Sequence, residues 1–271
     1  MEDNECVRFL QLVLPQLHMR WPGFRRVRKQ VCKRIQRRIH ELELSGAHAY
    51  RQYLQIHTEE WIMLDYLCRV TVSRFYRDKV VLEHVRTEVL PELARAAINA
   101  DETTLRGWSA GCAMGEEAYS LVLIWYMTVG INFPQLAIQV TGSDIDEVLL
   151  QRAMRGCYSY GSVKALAQTW LTSAFTYNNN EYCLESELRN KANFIKQDIR
   201  EKLIKGPFHI VFCRNVAFTY FDIGLQLEML QYIRDNLVDG GALIIGGHEC
   251  LPEGFCGFEQ WSKQRAIFRK L

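Results

Sequence analysis

No stretch of this 271-residue chain holds the roughly 18 consecutive apolar residues that a membrane-spanning helix requires, so no membrane insertion is expected. The first residues, Met1-Glu2-Asp3-Asn4-Glu5, are acidic and do not have the form of a secretion signal. None of the nine cysteines stands in a C-x-x-C pair, and the odd, scattered count argues against a disulfide framework or a zinc site. Reduced thiols in a cytoplasmic protein are the expectation. The histidines form no ligand cluster, so no metal is expected. A G-x-S-x-G elbow and a P-loop are both missing, which leaves hydrolase and NTPase chemistry without support. Internal repeats and low-complexity segments are lacking as well. The formal charge of +2 is close to neutral, so the chain as a whole is not a binder of polyanions.

What is present is an ordinary globular composition, 48% apolar, in a length that suits one large domain or two modest ones. The stretch Trp108-Ser109-Ala110-Gly111-Cys112-Ala113-Met114-Gly115-Glu116-Glu117-Ala118-Tyr119-Ser120 organises it. An apolar approach, Leu105 to Trp108, runs into small residues and then an amphipathic helix from about Glu116 to Tyr126. Small residues let the backbone approach a ligand closely, and a helix start offers unpaired N–H groups. The loop lacks the spacing of the dinucleotide glycine fingerprint, so by itself it reads equally well as a plain turn.

From Phe24 to Leu42 the apolar residues Phe24, Val27, Val31, Ile35, Ile39 and Leu42 recur at steps of three and four, one face of a helix. Its other faces carry Arg25, Arg26, Arg28, Lys29, Lys33, Arg34, Arg37 and Arg38. Such a face is either simply solvated or docks an acidic partner, a protein helix or nucleic acid. No aromatic residues interleave with the basic ones, which disfavours nucleic acid. Two short helices are predicted over 47–57 and 59–70, then an interruption at Ser73 to Asp78. A further helix from about Lys79 to Ala97 serves as a linker, giving a helical N-terminal domain over 1–98 and an α/β domain over 99–271.

In the second domain strands and helices alternate. Ala137 to Thr141 is a strand ending in Gly142-Ser143-Asp144-Ile145-Asp146, and Glu147 to Met154 a helix. Phe194 to Lys196 and His209 to Cys213 are strands, the latter ending at Arg214-Asn215. Leu225 to Leu237 is a helix stopped by Asp239-Gly240-Gly241, Ala242 to Ile245 a buried strand, and the tail from Gly257 through Arg265 to Arg269 a hairpin. This pattern predicts a parallel sheet covered on both faces, with ligands beyond the carboxyl ends of its strands. The opening loop, Asp144, Asp198 and Asn215 all fall at such ends. Between Gly156 and Asn193 the alternation fails. Turn-rich segments, Asn178-Asn179-Asn180 among them, and a strand pair within Glu181 to Arg189 predict a small inserted subdomain over about 157–193.

Several residues can carry chemistry. Asp144 sits where a carboxylate can accept two hydrogen bonds from a ribose diol, later than the roughly 20-residue spacing of dinucleotide sites; Asp144 or Asp146 can alternatively cap the helix from Glu147. The Asn215 amide offers a donor and an acceptor. Arg77 lies beside an aromatic pair and can steer a carboxylate, or be a plain surface arginine. His248-Glu249 suggests acid–base work only weakly, because a lone His after a strand is more often structural.

Together these motifs resemble the CheR family of S-adenosylmethionine-dependent methyltransferases, which esterify glutamate side chains of bacterial chemoreceptors. The resemblance lies in Phe75-Tyr76-Arg77-Asp78, Trp108 through Ser120, Ser143-Asp144-Ile145-Asp146, and Ala153 through Tyr158. It continues in Phe212-Cys213-Arg214-Asn215-Val216 with Tyr220-Phe221-Asp222, and in Gly240-Gly241 with Glu249. It implies a class I methyltransferase sheet, Rossmann-like, with an N-terminal helical domain and a small inserted β-subdomain. It implies S-adenosyl-L-methionine as cofactor and S-adenosyl-L-homocysteine as product. Ala110 and its loop would line the cofactor, with Glu117 near its amino-acid end and Asp144 on the ribose. Asp198 and Ile199 would flank the adenine, and Asn215 and Val216 would close the site. Arg77 would lie beside the transferred methyl, in contact with cofactor and acceptor, with Tyr220 close by as a second catalytic residue. The basic helix Arg25–Arg38 would face the acidic methylated helix of a receptor, and a monomer is expected.

The sequence also departs from the family. Thr71-Val72-Ser73 replaces Asn-x-Thr, keeping hydroxyls at Thr71 and Ser73 for the cofactor but losing the amide. The segment from Asn215 to Tyr220 is one residue longer, Gly-His-Ser-Glu becomes Gly246-Gly247-His248-Glu249, and the insertion is trimmed near Asn178-Asn179-Asn180. These changes surround the acceptor side more than the cofactor side. A related carboxyl O-methyltransferase with a small-molecule or non-receptor acceptor is therefore the alternative, and a catalytically silent cofactor-binding module a third reading.

Overall fold

The computed structural model describes residues 2–71, 73–201, 204–262 and 266–271. Val72 and Arg265 of the sequence reading lie outside the described residues. The chain forms two units, Met1–Thr71 with Thr219–Gln226, and Val72–Phe218 with Leu227–Leu271.

The first unit is helical. Asp3–Val13, Arg28–Glu41, Ala47–Ile56 and Glu60–Cys68 are its main helices. Val31, Ile35 and Ile39 form the buried stripe that the periodicity predicts, each contributing about 1.5–3 kcal/mol on burial. The long helix starts at Arg28, not Phe24: Trp21–Phe24 is a separate short turn with proline in its opening positions. The segment 219–226 joins this unit through backbone bonds, Arg20 N–H to the Tyr220 carbonyl at 2.8 Å and Asp222 N–H to the His18 carbonyl at 2.8 Å.

The second unit contains the predicted linker helix, which runs as Lys79–His84, a π turn at Val85–Val89, and Leu90–Asn99. Its strands, in chain order, are β1 (Thr104–Ala110), β2 (Ala137–Asp144), β3 (Cys157–Tyr158), β4 (Phe175–Asn178), β5 (Glu181–Leu184), β6 (Ala192–Lys196), β7 (Phe208–Phe212), β8 (Leu237–Ile244), β9 (Phe258–Gln260) and β10 (Ile267–Lys270). Seven make one sheet in the order β6-β2-β1-β7-β8-β10-β9. β6, β2, β1, β7 and β8 are mutually parallel, and β10 runs antiparallel to both β8 and β9. This is an α/β architecture with a mostly parallel sheet, as the alternation of strands and helices predicts. The chain moves outward from β1 through β2 to β6, then crosses back to β7 on the other side. That reversal opens a crevice at the carboxyl ends of β1 and β7, where such sheets bind ligands.

Two details differ from the sequence reading. β8 begins at Leu237 and spans Asp239-Gly240-Gly241; its register against β7 shifts there, from Leu237 opposite Phe208 to Ala242 opposite Ile210, and Gly240 keeps a left-handed φ of 72°. The strand pair of the insertion is β4 with β5, joined by Asn179 and Asn180, both left-handed at φ 47° and 62°. Asparagine tolerates that conformation, and such a turn matches the twist of a hairpin. β3, β5 and β4 form a separate three-stranded sheet.

The expectation of reduced thiols is corrected. Cys6 pairs with Cys32 and Cys157 with Cys183, each across 26 residues of sequence. Cys157 and Cys183 face each other in the β3–β5 register, a relation that no linear spacing reveals. Among the described residues no helix is long and apolar enough to cross a membrane, and no group of His, Cys, Asp and Glu could hold a metal ion.

Candidate active site

The loop after β1 is held from β2. The N–H groups of Gly111 and Cys112 both donate to the Ser143 carbonyl, at 2.8 and 2.9 Å, and Trp108 Nε1 donates to Ser143 Oγ at 2.9 Å. Gly111 sits at φ +70°, and a Cβ there would stand 2.7 Å from a Val216 methyl. Only glycine fits both the left-handed backbone and the close approach. The loop therefore packs directly on the segment after β7, so Ala110 and Val216 belong to one site.

Asp144 ends β2. One of its oxygens accepts the Ala113 N–H at 2.8 Å and the other accepts the Asp146 N–H at 2.9 Å. These two bonds aim the carboxylate. The helix cap is Asp146 instead, accepting from Val148 and Leu149. Beside Asp144, β6 leads into Gln197, whose N–H donates to the Asp144 carbonyl at 2.9 Å. Asp198 follows, its carboxylate gripped by the Arg200 guanidinium at 2.6–3.1 Å, and Ile199 is buried.

Glu117 lies in the first turn of the helix Glu116–Ile124. Ser109 Oγ donates to it at 2.7 Å and Arg214 Nη1 donates at 3.1 Å. Burial pushes its carboxyl up, and the charge of Arg214 with the Ser109 bond offsets only part of that. Its neighbour Glu116 is fully buried and also raised by burial, against hydrogen bonds from Ser162 and Ser73. Ser73 thus meets the end of this helix rather than standing in open solvent.

The turn Phe75-Tyr76-Arg77-Asp78 is strained. Tyr76 and Asp78 are both left-handed, at φ 53° and 58°, a cost of about 1–2 kcal/mol each for residues with a Cβ. Its surroundings over-determine it. Phe75 N–H donates to the Ser162 carbonyl at 3.0 Å and Tyr76 N–H to Ser120 Oγ at 3.0 Å. The Phe75 ring packs edge-on against Tyr158 and Phe175 of the insertion, and Tyr76 against Trp170. Arg214 Nη2 donates to the Arg77 carbonyl at 2.8 Å and to Asp78 Oδ2 at 2.7 Å. Burial raises Asp78, but the charge and hydrogen bond of Arg214 outweigh it and leave the carboxyl below its usual value. Stored strain of this kind is characteristic of functional turns.

Asn215 is left-handed as well, at φ 57°. Its N–H and that of Gly246 donate to one oxygen of Glu249, at 2.8 and 2.6 Å. Glu249 is thus buried and ties the loop after β8 to the loop after β7, whereas His248 is exposed.

The second unit accordingly brings together Ser73, Arg77, Ala110, Glu117, Asp144, Asp198, Ile199, Asn215 and Val216 around the carboxyl ends of β6, β2, β1 and β7. Thr71 is the last residue of the first unit's main segment. Tyr220 also lies in that unit, its ring edge-on to Phe24 with centroids 5.0 Å apart. Sequence reasoning gave no role to Arg214, Asp78, Ser109 or Glu249 as supports. An arginine directly after the apolar run Ile210-Val211-Phe212-Cys213 was the one available signal for Arg214.

The site thus sets two carboxylates, Asp144 and Glu117, on either side of a glycine-tight loop. The model of the family described as "CheR methyltransferase, SAM binding domain" matches residues 71–267. A probable chemotaxis protein methyltransferase of Rhizobium etli is 27% identical over 226 residues, covering 81% of this chain and 83% of that one. Chemotaxis protein methyltransferase 2 of Vibrio cholerae is 30% identical over 227 residues, covering 82% and 77%. The chemotaxis protein methyltransferase of Listeria innocua is 30% identical over 183 residues, covering 68% and 66%. With nearly three quarters of its length inside that match, the chain belongs to the CheR methyltransferase family.

Proposed function

We propose that this chain transfers a methyl group from S-adenosylmethionine to the side-chain carboxylate of glutamate residues in a protein acceptor, a chemoreceptor. The observation that carries the reading is the meeting of Asp144, Glu117 and the Arg77 turn at the carboxyl ends of one parallel sheet, in a chain of this family. Asp144 holds the ribose hydroxyls of the cofactor, Glu117 its ammonium, and Asp198 and Ile199 flank its base. Thr71 and Ser73 offer hydroxyls, while Asn215 and Val216 close the pocket against the Ala110 loop. The cofactor supplies a methyl on a sulfonium, an electrophile that needs no further activation. A glutamate side chain has a reference pKa of about 4.3, so at neutral pH it is already the nucleophile and no general base is required. Arg77 orients that carboxylate. Catalysis then consists of alignment and exclusion of water.

The acceptor helix docks on the segment Arg25–Arg38. Five of its basic residues, Arg25, Arg26, Lys29, Lys33 and Arg37, are exposed. Arg28 is paired with Asp3, Arg34 with the carbonyls of Leu67 and Arg69, and Arg38 with Glu60. The exposed subset is the acidic-helix surface, and the others build the fold. The chain acts as a monomer in the cytoplasm, where the donor and the receptor's signalling region are found.

Transfer of radiolabelled methyl from the donor to receptor cytoplasmic fragments tests the reading. Base-labile label on glutamates is the expected result. Label appearing only on small carboxylic acids would replace the acceptor class, and no label with any acceptor would reject the enzyme.

A further inference from the structure

Arg214 follows β7, whose residues Phe208 to Phe212 are all buried, and its own side chain is 2% exposed. A guanidinium so placed must be paired. It is paired twice over, with carboxylates 97 and 136 residues away in the chain. Nη1 reaches Glu117 Oε2 at 3.1 Å, and Nη2 reaches Asp78 Oδ2 at 2.7 Å and the Arg77 carbonyl at 2.8 Å. The Tyr76–Asp78 turn is left-handed at both ends of Arg77 and cannot hold that shape by local preference. Glu117, for its part, forms an ion pair with Arg214 and accepts a second hydrogen bond from Ser109.

We propose that Arg214 is a positioning residue: its fork holds the Glu117 carboxylate and the Arg77 turn in one fixed relation, and cofactor binding depends on that relation. The proposal rests on the roles given above to Glu117 and Arg77. A fork is needed because the two carboxylates approach different nitrogens of one planar group. The single ammonium of lysine can serve one of them well but not both. The same fork makes binding of the donor's ammonium end sensitive to a residue that does not itself touch it.

The test is calorimetric titration of the full chain with S-adenosylhomocysteine, in the wild type and in Arg214→Met, Arg214→Lys, Glu117→Gln and the double variant Arg214→Met/Glu117→Gln. Arg214→Met is expected to weaken binding by about tenfold or more, and Arg214→Lys to recover part of that loss. In the Glu117→Gln background the further loss from Arg214→Met should shrink to within about threefold, the non-additivity of residues acting through one another. A purely structural arginine would show equal losses in both backgrounds and no recovery with lysine; either result overturns the proposal. If Arg214→Met does not melt cooperatively, Arg214→Lys decides: affinity within about threefold of wild type rejects the fork. A wild-type chain that binds no product would instead overturn the functional reading itself, a result distinct from a bound wild type with an unaffected variant.

Discussion

One carboxylate oxygen of Asp144 accepts the backbone N–H of Ala113 at 2.8 Å. The acid assigned to the ribose is thereby also the clasp of the loop after β1, with its other oxygen on the Asp146 N–H at 2.9 Å. Asp144→Asn keeps only one acceptor oxygen and no charge. Hydrogen bonds to charged groups are worth about 1.5–3 kcal/mol, so affinity for S-adenosylhomocysteine should fall by roughly 10- to 150-fold. Calorimetry reads this directly, and an unchanged affinity would remove Asp144 from the site.

The basic helix divides into two sets with different expected phenotypes. Lys29→Glu, Lys33→Glu and Arg37→Glu change exposed positions and should leave the melting temperature within about 2 °C, since surface changes rarely exceed 0.5 kcal/mol. KM for a receptor fragment should rise, and the salt dependence of KM should weaken. Arg38→Glu instead sets a second carboxylate against the buried Glu60, which Arg38 now holds with two bonds of 2.8 Å. That variant should be unstable whether or not an acceptor is present.

Acid should loosen the first unit by way of Glu60. Its carboxyl lies below the ordinary 4.5, chiefly through the hydrogen bond from Arg38, with burial opposing and Tyr50 assisting. A depressed carboxyl stabilises the fold above its ordinary value, and this contribution disappears as pH falls from about 4.5 through the lower folded value. Glu60→Gln should lose roughly 1.5–3 kcal/mol at neutral pH and show a flatter decline below pH about 4.5. Denaturant midpoints between pH 3 and 7 measure both. A parallel decline in the two proteins would clear Glu60 of the effect.

The cystines give a simple count. Five cysteines are unpaired, Cys68, Cys112, Cys213, Cys250 and Cys256, out of nine in the chain. Protein denatured without reductant should titrate five thiols, and nine after reduction. Disulfides are uncommon in the cytosol, so nine before reduction would mean that the isolated protein carries the pairs as free thiols.

Much of the second unit was legible in the chain because parallel strands are short apolar runs bounded by turn residues. Leu105 to Trp108, Ala137 to Thr141 and His209 to Cys213 announced β1, β2 and β7 within a few residues. β8 starts earlier than the apolar run Ala242 to Ile245 indicates, since the turn-like Asp239-Gly240-Gly241 is a bulge between two paired stretches and not a break in the strand. Either Asp144 or Asp146 could cap the helix from Glu147 until the hydrogen bonds gave the cap to Asp146. The eight basic residues from Arg25 to Arg38 looked alike, because sequence periodicity shows which residues face a core but not which charges find partners in another helix.

The sequence alone determined the order of strands and helices, the small-residue loop, and the residue types waiting at the strand ends. These follow from local preference and from hydrophobic periodicity, which act over a few neighbours. Tertiary structure alone decided that Arg214 should clasp Asp78 and Glu117, that Glu249 should fasten Asn215, and that Cys6 should meet Cys32. Each of those contacts joins positions distant in the chain, and only packing of the finished fold sets the distance between them.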